Sequence, residues 1–370
     1  MKARKITAIV LALVMMLALF AGCGKSQPAS SAPAAAPSGS TGSAPAPAAA
    51  DSGKSDAKAD FKPVTWKLSY NAAAGQPMDV ALIEFAENVK ARTEGRVNIE
   101  LFGNNILGPD TSTSEMAVEG TVQMIAIGDS FCSKFAKALS MPAMSFLFPS
   151  REDMMNAYLG EWGETYVAKP LREGYGLKLI DVWPQAERMM ICTKPVTCLA
   201  DLQGVKIRVP SGIPLYDACW TASGAMTTSL ALEDAFTGMQ QGVVDAVEMP
   251  LDFIYNYRFM EVAKYVTETR HIVYGQLIMA NQAAFDQILP EDQEIIIDEV
   301  KKAGVKATEM LDSNIDTLRQ DMIDNYDVTF IPLTEEQRNE FRDAVTPLFE
   351  TYMDEWGRDA YDALMESFKK

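Results

Sequence analysis

The stretch Leu202–Gly212 reads LQGVKIRVPSG. Val205, Ile207 and Val209 alternate with Lys206 and Arg208, the period-two pattern of a strand with one buried face. Pro210 has no amide hydrogen to give to a ladder and is expected to stop the strand just past Arg208. A guanidinium is thus expected at the carboxyl end of a strand. It either turns to water, as most arginines do, or awaits an anion.

Around this strand the chain alternates strands and helices. TWKLSYN reads as a strand and MDVALIEFAENVKARTEG as a helix, with Leu82, Phe85, Ala86 and Val89 on one face and Gly95 as its stop; VNIELF is the next strand. A helix through Glu115–Glu119 ending at Gly120, the strand VQMIAI, a helical stretch from Arg151 to about Glu173 and the strand LKLIDVW follow. Beyond Trp183 come RMMICT, VKIRV, helices near Leu215–Ser223 and Leu232–Gln241, VVDAVE, the extended KYVTETRHIV and GQLIMAN. A long helix from Pro290 to about Asn325, with Ile295, Ile296, Val300, Val305 and Met310 among its apolar positions, is long enough to brace two lobes; VTFIP and a C-terminal helical pair complete the chain. The alternation implies α/β architecture with mainly parallel sheet covered on both faces.

Charge and composition bound the function. The 370 residues hold 50 acidic against 33 basic side chains, a net charge of −17, with no run of Lys and Arg. Such a field repels polyanions, so nucleic acid is not an expected partner. Lys2, Arg4 and Lys5 precede the uncharged ITAIVLALVMMLALFAGC, the pattern of an export signal. Cys23 after Ala21 and Gly22 resembles a bacterial lipobox, with Phe20 where leucine is usual, and predicts cleavage before a lipid-bearing cysteine; plain secretion or an uncleaved anchor is the alternative. Residues 24–62 form an Ala/Pro/Ser/Gly tether with no large apolar residue before Phe61. The remaining length, about 310 residues, exceeds what one core usually takes, and two lobes are expected.

Enzyme signatures are missing. The chain has no GxSxG, HExxH, GxxxxGK[ST] or EF-hand loop, and no CxxC or zinc-finger spacing. His271 is the single histidine, which removes most metallohydrolases and Ser/His or Cys/His hydrolases. In its strand context it reads as a structural histidine, while a carboxylate-pair hydrolase stays open. Of Cys132, Cys192, Cys198 and Cys219, only Cys192 and Cys198 suggest a bridge. No cofactor or metal is expected.

In open α/β sheets ligands lie at the carboxyl ends of strands. Arg208 is therefore where a rigid fork grips a carboxylate with two parallel hydrogen bonds, a geometry lysine does not copy. Arg188 opens the preceding strand and reaches the same crevice if the two strands are neighbours; an interlobe salt bridge is its other reading.

Residues 65–304 resemble the solute-binding subunits of tripartite ATP-independent periplasmic (TRAP) transporters. DLQGVKIRVP matches the family's DLKGxKxRVP, GAMTTSLALEDAFTGMQQGVVDAVEMP its GAxPxPMxxxEVYxALQxGxVDGxExP, and YVTETRHI its YxxxTxH, with LGPDTSTSEMAVEGTVQM in the place of its LGxxxExxxxxxxGxxDM. The resemblance implies a two-lobe, periplasmic-binding-protein-like fold with a ligand cleft between lobes and a long helix spanning both. It implies that the protein captures an organic acid, closes over it and delivers it to a membrane permease. Arg208 falls on the family's carboxylate-binding arginine, Arg188 on its second arginine, and Asn71 on an asparagine ending the first strand. The implied lobes are 63–186 with about 274–313, and 187–273 with about 314–370.

Departures from the pattern carry information. Ala246 and Met249 replace a glycine and an asparagine, Leu232 replaces a commonly aromatic pocket residue, and TTS replaces PxP, which disfavours sugar acids and favours an acid with an apolar body. Trp183, ending a strand near Arg188, is a candidate to stack on that body, and Asp129 and Ser130 to contact a hydroxyl or amine. Two other functions compete: a receptor for an ATP-driven importer or chemosensor, and an exported carboxylate-dependent hydrolase.

Overall fold

The computed structural model describes residues 61–369. The export signal, Cys23 and nearly all of the tether lie outside them. Two mixed sheets organise the rest. The first has the order β2-β1-β3-β10-β4, from β1 (Val64–Tyr70), β2 (Val97–Phe102), β3 (Met124–Gly128), β4 (Leu177–Pro184) and β10 (Gly275–Asn281). The second has the order β11-β9-β5-β8-β6-β7, from β5 (Arg188–Cys192), β6 (Lys206–Pro210), β7 (Met226–Leu230), β8 (Ala246–Pro250), β9 (Tyr265–Glu268) and β11 (Thr329–Pro332).

The mainly parallel expectation needs correction. β10 runs antiparallel to β3 and β4, and β5 runs antiparallel to β8 and β9. The reason is legible in the connections. Only residues 185–187 separate β4 from β5, and residues 269–274 separate β9 from β10, so β5 and β10 each start at the cavity end where the strand before them finished and run away from it. At both places the chain leaves one sheet for the other. His271 lies in the second of these links and not in a strand.

The helices also depart in detail from the reading. The stretch after Arg151 breaks at Gly160 into Arg151–Leu159, a short turn and, after a π-helical segment, Lys169–Tyr175. The long helix runs Pro290–Tyr326 and buries Ile296, Val300, Ala303, Ala307 and Leu311 on one face. Val305 points outward at 60% exposed. The spacing of small residues on the inner face has a cause: a Cβ at Gly304 would stand 2.5 Å from Trp183 Nε1, so the helix lies directly on β4. Its first half packs in the apolar core beneath the first sheet, and Met322 in that of the second. The C-terminal helices Glu335–Trp356 and Arg358–Ser367 join a third, larger core. There Trp162 Nε1 donates to Ala360 O at 3.0 Å, so the last helix reaches the Arg151–Gly163 region. All four described cysteines are free, and Cys192 and Cys198 do not pair. Among the described residues no helix is long and apolar enough to cross a membrane.

Candidate functional site

A cavity of about 120 Å³ lies between the sheets, room for a small organic molecule. It is lined at the carboxyl ends of strands: Asn71 after β1, Gly128 ending β3, Pro210 ending β6 and Pro250 ending β8. This is where α/β sheets place ligands. Leu232, Met249, Phe131 and Phe253 supply apolar wall, and Arg188, Arg208, Asp110 and Glu233 supply charge.

Arg208 is the middle residue of β6, and Pro210 still pairs with Leu230 of β7, so the ladder continues past the expected stop. Ile207 and Val209 go to the core while Arg208 takes the opposite face. It is 4% exposed. Its Nε donates to Leu230 O at 2.9 Å, which fixes the guanidinium and leaves the two terminal nitrogens without a partner among the described residues. No carboxylate there stands within ion-pair distance of it. Burial, with the charge of Arg188 acting in the same direction, lowers its pKa to about 10.

Arg188 is differently placed. β5 and β6 are not neighbours, because β8 lies between them, and Glu248 of β8 takes up the charge. Arg188 Nε donates to Glu248 Oε2 at 2.6 Å, and Nη2 to Oε1 and to the Glu248 carbonyl, each at 2.8 Å. The guanidinium carbon lies 5.2 Å from the Tyr216 ring and 5.4 Å from the Tyr274 ring. Burial alone would raise the Glu248 carboxyl, but the Arg188 charge and the bonds from His271 and Arg188 hold it down at about 2. His271 Nε2 stands 3.1 Å from Glu248 Oε2 and Nδ1 2.7 Å from Thr269 Oγ1. An ionised carboxylate only accepts, so Nε2 carries the proton and Nδ1 accepts from the threonine. Burial lowers the His271 pKa and keeps the ring neutral.

The other candidates divide. Asn71, Leu232 and Met249 line the cavity, whereas Trp183, Asp129 and Ser130 do not. Trp183 is 1% exposed and packs between β4 and Gly304 in the core of the first sheet. Asp129 accepts from Ser130 N, Ser130 Oγ, Tyr158 OH and Gly275 N, and burial pushes its carboxyl up to about 6. Its acceptors are spent within the protein. Sequence reasoning missed Asp110, Glu233, Phe131 and Tyr274. Asp110 opens the helix Asp110–Glu119 and is held by Asn71 Nδ2 at 3.0 Å; burial pushes it up to about 7. The negative first turn at a helix start was its one available signal.

Contacts in and around the cavity join elements of the first sheet to elements of the second. Asn105 Nδ2 donates to Glu233 Oε1 at 2.6 Å, Tyr257 OH to Asn71 O and Asn104 Oδ1 at 3.0 Å each, and Gln76 Nε2 to Asp252 Oδ2 at 3.2 Å. Gly212, at φ +88°, turns the chain after β6; a Cβ there would stand 3.0 Å from Thr111 Cγ2, across the same gap.

Two α/β sheets joined by short crossings, with a cavity between them and in it an arginine without an anion among the described residues, define a two-lobe solute-binding protein. Comparison with known proteins gives the family. Residues 68–355 match the model of bacterial extracellular solute-binding protein family 7, and the chain belongs to that family, the solute-binding proteins of TRAP transporters. A solute-binding protein of Roseobacter denitrificans is 30% identical over 234 residues, 63% of this chain and 71% of the relative. The ectoine/5-hydroxyectoine-binding periplasmic protein of Ruegeria pomeroyi is 26% identical over 82% of this chain and 89% of its own. Among solved structures, a TRAP periplasmic solute-binding protein from Ochrobactrum anthropi, with its C-terminus bound in the ligand-binding pocket, superposes with a TM-score of 0.74 at 28% identity, covering 84% of this chain and 96% of that one.

Proposed function

We propose that this protein captures an organic acid by its carboxylate on Arg208 and delivers it to the membrane permease of a TRAP transporter, without catalysing a reaction. The observation that carries the reading is the state of Arg208, buried, fixed by Leu230 and without an anion in a cavity that it lines. A carboxylate leaving water loses several kcal/mol of solvation. Two parallel hydrogen bonds from a fixed fork recover it and set the orientation. The pocket-bound C-terminus of the Ochrobactrum anthropi relative supports the reading, since a C-terminus carries a carboxylate.

Asn71 and the free edge of Arg188 add hydrogen bonds, and Leu232 and Met249 pack on the body of the acid. The lobes comprise 63–186 with about 274–313 and 187–273 with about 314–370, and they close because contacts to both exist only when shut. Export and a lipid on Cys23 hold the protein at the outer face of the cytoplasmic membrane or in the periplasm; radiolabelled palmitate incorporated by the parent chain and lost in Cys23→Ser tests the anchor. Titration calorimetry with copurifying acids tests the site: Arg208→Lys is expected to weaken binding by about 2 to 4 kcal/mol. Unchanged affinity in a folded variant contradicts it.

A further inference from the structure

We infer that the ligand is a zwitterion, a carboxylate joined through a short apolar body to a cationic nitrogen, with Arg208 taking the anion and Asp110, backed by Glu233, taking the cation. The inference rests on the reading of Arg208 and adds the other end of the ligand.

The charges around the cavity do not cancel in place. Arg188 is matched by Glu248 and contributes no net charge. Arg208 has no anion. Asp110, 7% exposed, has no cation: Oδ2 accepts from Asn71, and Oδ1 has no partner among the described residues. Glu233, exposed at the rim, is bonded to the neutral Asn105 and acts on Arg208 only at longer range; among the described residues no lysine or arginine stands within ion-pair distance of either carboxylate. Between these poles the wall is apolar, from Leu232, Met249, Phe131 and Phe253. A dicarboxylate brings two negative charges to one unpaired arginine and two unpaired carboxylates. A plain monocarboxylate matches Arg208 but gives Asp110 no cation, so that side chain takes up a proton instead of an ion-pair partner and its end of the cavity adds nothing to binding. A zwitterion pairs both ends.

Asp110 also gives the binding a proton signature. The groups around it are Asn71 from the end of β1, Glu233 from the helix Leu232–Gln240, Tyr257 after the helix Leu251–Asn256, and Cys132 in the turn Asp129–Cys132. Burial pushes the Tyr257 hydroxyl and the Cys132 thiol up, so neither ionises near neutral pH. Burial brings Asp110 itself to about 7. A bound cation favours the ionised carboxylate, so binding expels a proton below that pH and affinity falls by up to about tenfold per pH unit.

The test is titration calorimetry of the folded chain with matched sets: γ-aminobutyrate, butyrate and succinate; phenylalanine, phenylpropionate and phenylsuccinate; proline, cyclopentanecarboxylate and its dicarboxylate. In one or more sets the zwitterion is expected to bind at least about tenfold more tightly than both partners, releasing a proton in acidic buffer. The isosteric Asp110→Asn removes the zwitterion's advantage over its amine-free partner and the proton release, and Arg208→Gln weakens every acid. A dicarboxylate or amine-free acid binding best, or a preference that survives in Asp110→Asn, overturns the zwitterion and leaves the Arg208 reading standing. Binding of no acid, or binding indifferent to Arg208→Gln, overturns both.

Discussion

Arg188 and Arg208 border the same cavity from opposite sides of β8, and both are nearly inaccessible to water, at 7% and 4% exposed. Their surroundings separate them. Arg188 lies between two tyrosine rings and gives three hydrogen bonds through Nε and Nη2 to Glu248, which is itself held by His271. Arg208 has one backbone carbonyl and no anion. The first arrangement is a finished ion pair, useful to the fold whether or not a ligand is present. The second is an unfinished one, whose missing half comes from outside. Burial of a charge therefore says little about its role until the partner is identified.

Glu248→Ala strands a buried guanidinium and is expected to cost about 3 to 5 kcal/mol of stability, read from denaturant midpoints at constant slope. A loss below about 1 kcal/mol would mean that the pair is not structural. Arg208→Gln is expected to do the reverse, leaving the ligand-free protein as stable as the parent or more so while removing about 2 to 5 kcal/mol of binding energy; paired thermal scans with and without ligand measure both.

The two sites also respond oppositely to pH. Glu248 has a folded pKa of about 2, below its ordinary 4.5, so its contribution is complete above the ordinary value and fades as pH falls from there toward 2. Asp110 has the opposite sign: its folded pKa of about 7 lies above its ordinary 3.8, so ionisation penalises the ligand-free fold, and acidification from neutral pH relieves the penalty. Relative to the parent, Asp110→Asn is expected to lose that gain on acidification, visible as a flatter melting-temperature profile near neutral pH. The smallest effect is at the rim, where Asn105→Ala removes one exposed hydrogen bond to Glu233 and is expected to weaken ligand binding by about 0.5 to 1.5 kcal/mol.

What the sequence disclosed follows from how local each cause is. Arg208, Leu232 and Met249 belong to short coupled motifs, and their residue types announce strand, helix start and strand end; all three line the cavity. Trp183 sits on a strand end with the right type for a ligand platform, but its place is decided by Gly304, on a helix far along the chain that approaches closely enough to cover it. Asp129 and Ser130 fail for a similar reason, since the donors that occupy Asp129 come from Tyr158 and Gly275. The antiparallel strands β5 and β10 were hidden because strand propensity carries no direction; only the short links 185–187 and 269–274 reveal it. Val305 has the right hydrophobicity for the long helix's inner face but the wrong phase, and a helix that long offers several plausible phases.

The central claim is that Arg208 completes its ion pair with the carboxylate of a captured acid. A crystal structure of the protein loaded with its copurifying ligand tests it most directly. A carboxylate is expected on the two terminal nitrogens of Arg208, at about 2.7 to 2.9 Å, with Arg188 still bound to Glu248. A ligand with no anionic group in the cavity, or one whose carboxylate lies away from Arg208, would contradict it.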